Sequence, residues 1–200
     1  MGFEPTRAFR PMGTRCLIRR PVEIANRAMT EAVIADASVL IHLSRIGRFR
    51  LLRHLFSTIY IPRGVYREVV EVGWSLPGSV ETEEAVREGW IKVEDVRDRL
   101  EVRELIVRHG LHAANAEVLQ LAVELGAREL LADEAKIRDL AEDRGIKVRG
   151  CMGVLIEAAR RGLLSVREAR EAINELVRRG YRASREVLRK AHEILSRLEG

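Results

Sequence analysis

Long apolar runs are missing from this 200-residue chain. No stretch approaches the ~20 apolar residues that span a bilayer, and the amino terminus lacks the hydrophobic block of a secretory signal. Both absences point to the cytoplasm and exclude a membrane partner. Cysteine is scarce. Cys16 and Cys151 give neither a disulfide framework nor a zinc-ligand spacing, which suits a reducing compartment. Lysine is confined to Lys92, Lys136, Lys147 and Lys190, and side-chain amides to Asn26, Asn115, Asn174 and Gln120. Few amides beside dense Arg and Glu are a thermophile's habit, although a biased genomic base composition raises arginine equally well. Aromatic residues are only 4% of the chain, so a platform for stacking unpaired bases has little to be built from. There is no glycine-rich nucleotide loop, internal repeat or low-complexity segment.

What is present is a globular composition, 46% hydrophobic, of a length that suits one domain with a real core. The net charge of +5 is unevenly placed. Residues 1–29 hold six arginines against Glu4 and Glu23, a net of +4, which leaves +1 for all the rest. This leading segment has no helical or strand period and is interrupted by Pro5, Pro11 and Pro21, so it is expected to be a flexible basic arm. The remainder is not broadly basic. Nucleic-acid contact would have to come from the arm or from local patches.

From residue 32 the pattern becomes ordered. Ala32-Val33-Ile34-Ala35 reads as a buried strand ending in Asp36, followed by a helix through Val39, Leu40, Leu43 and Ile46 to Gly47. A short helix with Leu51, Leu52 and Leu55 leads to a strand at 58–61. Pro62 then suits the first turn of a helix striped by Val65, Tyr66, Val69 and Val70. A third strand is expected at 90–93, helices at 98–108 and 113–125, a strand at 130–132 ending in Asp133, and a last strand at 146–148. Helices through Leu155, near 165–179 and near 183–198, close the chain. Short buried strands alternating with helices predict an α/β fold with a parallel sheet covered on both faces.

In such a sheet, functional groups collect beyond the carboxyl ends of the strands. Asp36 and Asp133 both stand there, with Glu68 in the helix after the second strand and Glu117 in the helix before Asp133. Carboxylates brought together repel unless a cation neutralises them, and several hard oxygen donors suit Mg²⁺ or Mn²⁺. Each residue also has a plainer reading. Asp36 and Asp133 could each cap the helix that follows, Glu68 could be a solvated surface acid, and Glu117 could serve the helix dipole.

The run Val33-Ile34-Ala35-Asp36-Ala37-Ser38-Val39-Leu40-Ile41 resembles the opening motif of PIN domains. Ile61-Pro62-Arg63-Gly64-Val65-Tyr66-Arg67-Glu68-Val69-Val70 resembles the segment carrying their second acid. Leu130-Leu131-Ala132-Asp133-Glu134, with Gly145-Ile146-Lys147-Val148 and Gly153-Val154-Leu155, is similar to the late part of a PIN-like subfamily of archaea and bacteria. The resemblance implies a three-layer sandwich at 30–165, with residues 166–200 as a C-terminal helical extension of the same domain. It implies a Mg²⁺- or Mn²⁺-dependent endoribonuclease of the VapC type, often the toxin of a toxin–antitoxin pair. The implied partners are RNA, an antitoxin protein and a second copy in a homodimer. Asp36, Glu68 and Asp133 would be the catalytic acids and metal ligands, Ser38 would orient Asp36, and Glu134 would be a secondary acid.

One departure stands out. Asn115 occupies the place where the resemblance calls for a third acid, and it brings a dipole where a charge is expected. Glu117 is the substitute ligand, although two residues along a helix turn it ~200° away. The alternative is therefore a weak or inactive PIN-like module that binds RNA or protein. A phospho-acceptor domain would want a strand-end Lys and a Ser or Thr late in the chain, and Val148-Arg149-Gly150 supplies neither. Arg45, Arg48 and Arg53 are candidates to grip phosphates; the competing reading is a solvated face. Gly150-Cys151-Met152-Gly153 suits a phosphate cradle or simply a tight turn.

Overall fold

A computed structural model describes residues 32–199; the arm expected at 1–29 lies outside them. Five strands form one all-parallel sheet: β1 (Val33–Ala35), β2 (Ile59–Pro62), β3 (Ile91–Glu94), β4 (Glu129–Leu131) and β5 (Lys147–Arg149). Their spatial order is β3-β2-β1-β4-β5. All three β1 residues are buried, as a central strand covered on both faces requires. The outer strands β3 and β5 carry the exposed Lys92 and Lys147, which protect the edges from further pairing.

The helices are α1 (Ala37–Arg45), α2 (Leu51–Leu55), α3 (Arg63–Tyr66), α4 (Ser79–Arg87), α5 (Arg99–His109), α6 (Ala113–Leu125), α7 (Ala135–Glu142), α8 (Cys151–Arg160), α9 (Val166–Arg178) and α10 (Arg185–Ser196). They complete the expected α/β fold, a parallel sheet flanked by helices. Helix α6 packs on β1 and β2, while α8 contacts β5, α1, α2, α9 and α10. The interior is aliphatic, with Ile34, Leu40, Ile59, Ile61, Leu119, Leu130 and Ile137 fully buried. Each such side chain contributes about 1.5–3 kcal/mol on transfer from water.

Two local differences from the sequence reading bear on function. Pro62 is the last residue of β2 and the N-cap of α3, not a residue of the helix's first turn. The helix it opens is also not uniform. After Tyr66 it widens into a π-helical segment, Arg67–Val72, that includes Glu68. Wide turns of this kind gather at functional sites.

The chain leaves β1 toward β2 and β3, then returns to place β4 on the other side of β1. The strand order thus reverses between β1 and β4, which makes the crevice beyond their carboxyl ends the expected binding place in an open parallel sheet.

Candidate functional site

The β1–β4 ladder fixes Asp36. Ala35 is in register with Leu131, and the Asp36 backbone N–H donates to the Leu131 carbonyl at 2.9 Å. The side chain is the N-cap of α1, with Oδ1 accepting from the Val39 N–H at 3.0 Å. Ser38 Oγ lies 2.8 and 2.9 Å from the two carboxylate oxygens and donates to them. The capping reading of Asp36 is therefore realised. Asp36 is buried. Its pKa is pushed up to about 7, chiefly by desolvation and further by the Asp133 charge, against the lowering effect of Val39 N–H and Ser38.

Asp133 lies just past β4 on the neighbouring strand. It does not cap α7, which follows it; Glu134 holds that position. Its carboxylate instead caps α8, accepting from the Cys151 N–H at 3.0 Å on Oδ1. Tyr181 Oη donates to the same oxygen at 2.6 Å, and Cys151 Sγ lies 2.9 Å from Oδ2. Gly150 is required here, because a Cβ at that position would come within 2.4 Å of Asp133 Oδ1. The anion seated at the amino end of α8 is thus the protein's own carboxylate, which removes the phosphate-cradle reading of residues 150–153. Burial, then the Asp133 charge, pushes the Cys151 thiol and the Tyr181 phenol upward.

Beside these two acids opens a cleft of about 720 Å³. Asp36, Ser38, Glu68, Asn115, Glu117 and Glu134 line it, together with the cationic or polar His42, Arg45, Arg67 and His112. Asp133 is not on the cleft wall; it stands behind, with its oxygens turned to α8. The Asn115 amide donates to Glu134. Glu117 is already engaged. One oxygen accepts from the Gly64 N–H at 2.8 Å and the other from Arg99 at 2.6 Å. It ties α6 to the start of α3, and Gly64 leaves the space, since a Cβ there would meet Glu117 Oε2 at 2.5 Å.

Of the three candidate phosphate-gripping arginines, Arg45 lines the cleft and the other two do not. Arg53 pairs with Glu88. Arg48 lies near Glu168, whose pKa is lowered first by its Ser165 bonds and further by that arginine. Arg67, on the π segment, is the cation the sequence did not suggest. Sequence reasoning also missed His42 and Tyr181. His42 stands one helical turn after Ser38 and could have been read from that spacing. Tyr181 comes from the α9–α10 loop, 48 residues beyond the Asp133 it contacts, and no local pattern announces it.

A family model described as a PIN domain matches residues 32–197. No curated protein matches the chain. Among the described residues no helix is long and apolar enough to cross a membrane.

Proposed function

This chain belongs to the PIN-domain family, a nuclease-type fold, and from that premise we propose that it is a divalent-metal-dependent endoribonuclease cutting single-stranded RNA in the acidic cleft. The observation that carries the reading is Asp36: a buried carboxylate with a raised pKa, held by Val39 and Ser38 beside a second acid at the sheet's switch point. Such a group lacks a cation among the described side chains that touch it. PIN domains typically bind divalent metals, and the donors on the cleft wall, Asp36, Glu68 and the Asn115–Glu134 pair, are hard oxygens that fit Mg²⁺ or Mn²⁺, with Asp133 standing behind them as a ligand that would have to turn from α8. When bound, such an ion acidifies a water and stabilises the oxygen leaving a phosphodiester.

The chain's own residues do the rest. Ser38 orients the Asp36 carboxylate. Arg45 and Arg67 flank the carboxylates and receive the RNA phosphates, keeping the scissile group over the acids. Glu134, held by Asn115, supplies the charge that Asn115 lacks, while Glu117 is a positioning residue for α3 and the π segment. Residues 30–165 and the helices at 166–200 act as one domain, since Tyr181 reaches Asp133 from the second part. A toxin with an antitoxin partner, working in the cytoplasm as a homodimer, is the finer form of this reading.

The test is cleavage of a labelled RNA with Mn²⁺, with chelator, and by variants. Asp36→Asn is expected to lower the rate at least about 100-fold, and Asn115→Asp to raise it. Cleavage that survives both chelator and Asp36→Asn overturns the proposal. The second reading, a binding module without turnover, is favoured by Asn115 itself; a gel shift without cleavage under any metal would select it.

A further inference from the structure

Asp133 is shared between two environments, and the second contains donors that a hard-metal nuclease does not need. His42, Asp133 and Cys151 each present one ligand atom, and these atoms all lie within 4.8 Å of one another. The ring orientation of His42 is already fixed. Its Nδ1 lies 2.7 Å from the Ser38 carbonyl, which can only accept, so Nδ1 carries a proton and Nε2 is the nitrogen through which the neutral ring can bind a metal. A backbone carbonyl that fixes a histidine tautomer in this way is the usual support of a metal-bound imidazole. Tyr181 packs edge-on against the ring, with centroids 5.1 Å apart, and holds it from the other side.

Cys151 is the first residue of α8, which sets its sulfur at the amino end of that helix beside Asp133. Its thiol is buried and spends its proton on Asp133 Oδ2 at 2.9 Å. Tetrahedral zinc, with bonds of about 2.3 Å to sulfur and 2.0–2.2 Å to nitrogen and oxygen, needs donors roughly 3.3–3.8 Å apart. The three donor atoms, all within 4.8 Å of one another, exceed that spacing by about 1 Å at most. Thiolate, imidazole and carboxylate together form a softer set than Mg²⁺ or Mn²⁺ prefers and match Zn²⁺. His42 lines the open cleft, so the entry path for an ion runs past it.

We propose that His42, Asp133 and Cys151 form a Zn²⁺-class site at the back of the acidic cleft. On binding, the Cys151 thiol proton leaves to solvent, a metal–sulfur bond replaces the thiol–Asp133 hydrogen bond, and a water fills the fourth position. Because Asp133 cannot serve both ions fully, Zn²⁺ here weakens Mn²⁺ in the acidic cleft. That antagonism rests on the nuclease reading; the zinc site itself does not.

The experiment titrates the full-length chain with Co²⁺, a spectroscopic stand-in for Zn²⁺. The expected result is a near-ultraviolet thiolate-to-cobalt charge-transfer band with tetrahedral visible bands, abolished by one equivalent of Zn²⁺. Cys151→Ser is expected to lose the band, and the half-buried His42→Gln to weaken cobalt binding at least tenfold while keeping the wild-type circular dichroism. Cys16→Ser is expected to retain the band. Absence of the band in the wild type, or its persistence in Cys151→Ser, overturns the proposal. The antagonism is read by free-Mn²⁺ paramagnetic resonance: Zn²⁺ raises the Mn²⁺ dissociation constant at least tenfold in the wild type and not in His42→Gln, and an unchanged constant removes it. Neither readout uses RNA, so a failure of cleavage leaves both intact.

Discussion

Asp36 serves the fold as an N-cap and the site as a buried charge, and these two duties have opposite effects on stability. The cap bonds favour the folded chain, whereas ionising a desolvated carboxylate next to Asp133 disfavours it. The folded pKa of about 7 lies above the ordinary 3.8, so the native state binds the extra proton between those values. The contribution is therefore fully present below about pH 4 and is lost as the pH rises to about 7, at a slope of up to about 1.4 kcal/mol per unit. Asn keeps an accepting oxygen for Val39 and Ser38 without the charge. Metal-free Asp36→Asn is expected to match the wild type near pH 4 and to exceed it at pH 8, on the order of 4 kcal/mol. The check is the difference between the two melting curves in chelator across that range. A variant less stable than the wild type at pH 8 would show that the cap bonds outweigh the charge. If Asp36 serves the proposed nuclease, a residue that weakens its own fold is the ordinary exchange of stability for activity.

At the scale of elements, what could be read from the chain was what depends on neighbours in sequence. Helix α6 follows from the apolar spacing of Val118, Leu119, Leu121 and Ala122 closed by Gly126, and α9 begins at a Ser165–Glu168 capping box. The two strand-end aspartates were visible because apolar triplets precede them. The π segment was not visible, since a shift of the hydrogen-bond register is decided by what the helix packs against and not by its apolar stripe. The bonds of Glu117 were not visible for the same reason: its partners Gly64 and Arg99 are far away in sequence. The edge strand gives a further case. Arg149 is mostly buried and pairs with Glu129 on β4 and with Glu157 on α8, joining strand, neighbour and helix. Glu157 keeps Arg160 and Arg161 if Arg149 is removed, but Glu129 is left uncompensated. Arg149→Leu is expected to destabilise the protein by about 3 kcal/mol in urea unfolding, and adding Glu129→Leu to recover a substantial part. A loss below about 1 kcal/mol would place this triad with surface ion pairs of little consequence.

At the scale of the whole molecule, charge is divided along the chain. Residues 1–29 carry +4 of the total +5, while the described domain is nearly neutral and presents an acidic cleft. On the proposed nuclease reading such a domain has a difficulty, because its own carboxylates repel the RNA phosphates it would approach. Arg45 and Arg67 answer this locally; the six arginines before residue 29 are the other source of attraction. We therefore expect a chain starting at residue 30 to keep the melting temperature of the full chain, because no apolar period in the removed segment calls for a place in the core. We also expect it to bind single-stranded RNA more weakly. The salt dependence separates electrostatic attraction from lost structure: each phosphate neutralised contributes about 0.7 to the slope of log affinity against log salt, so removing six arginines lowers that slope by at most about 4. A shallower slope with unchanged melting assigns the segment to RNA capture. A melting temperature lower by many degrees would instead make it part of the fold, and an unchanged slope would leave the capture to Arg45 and Arg67 alone.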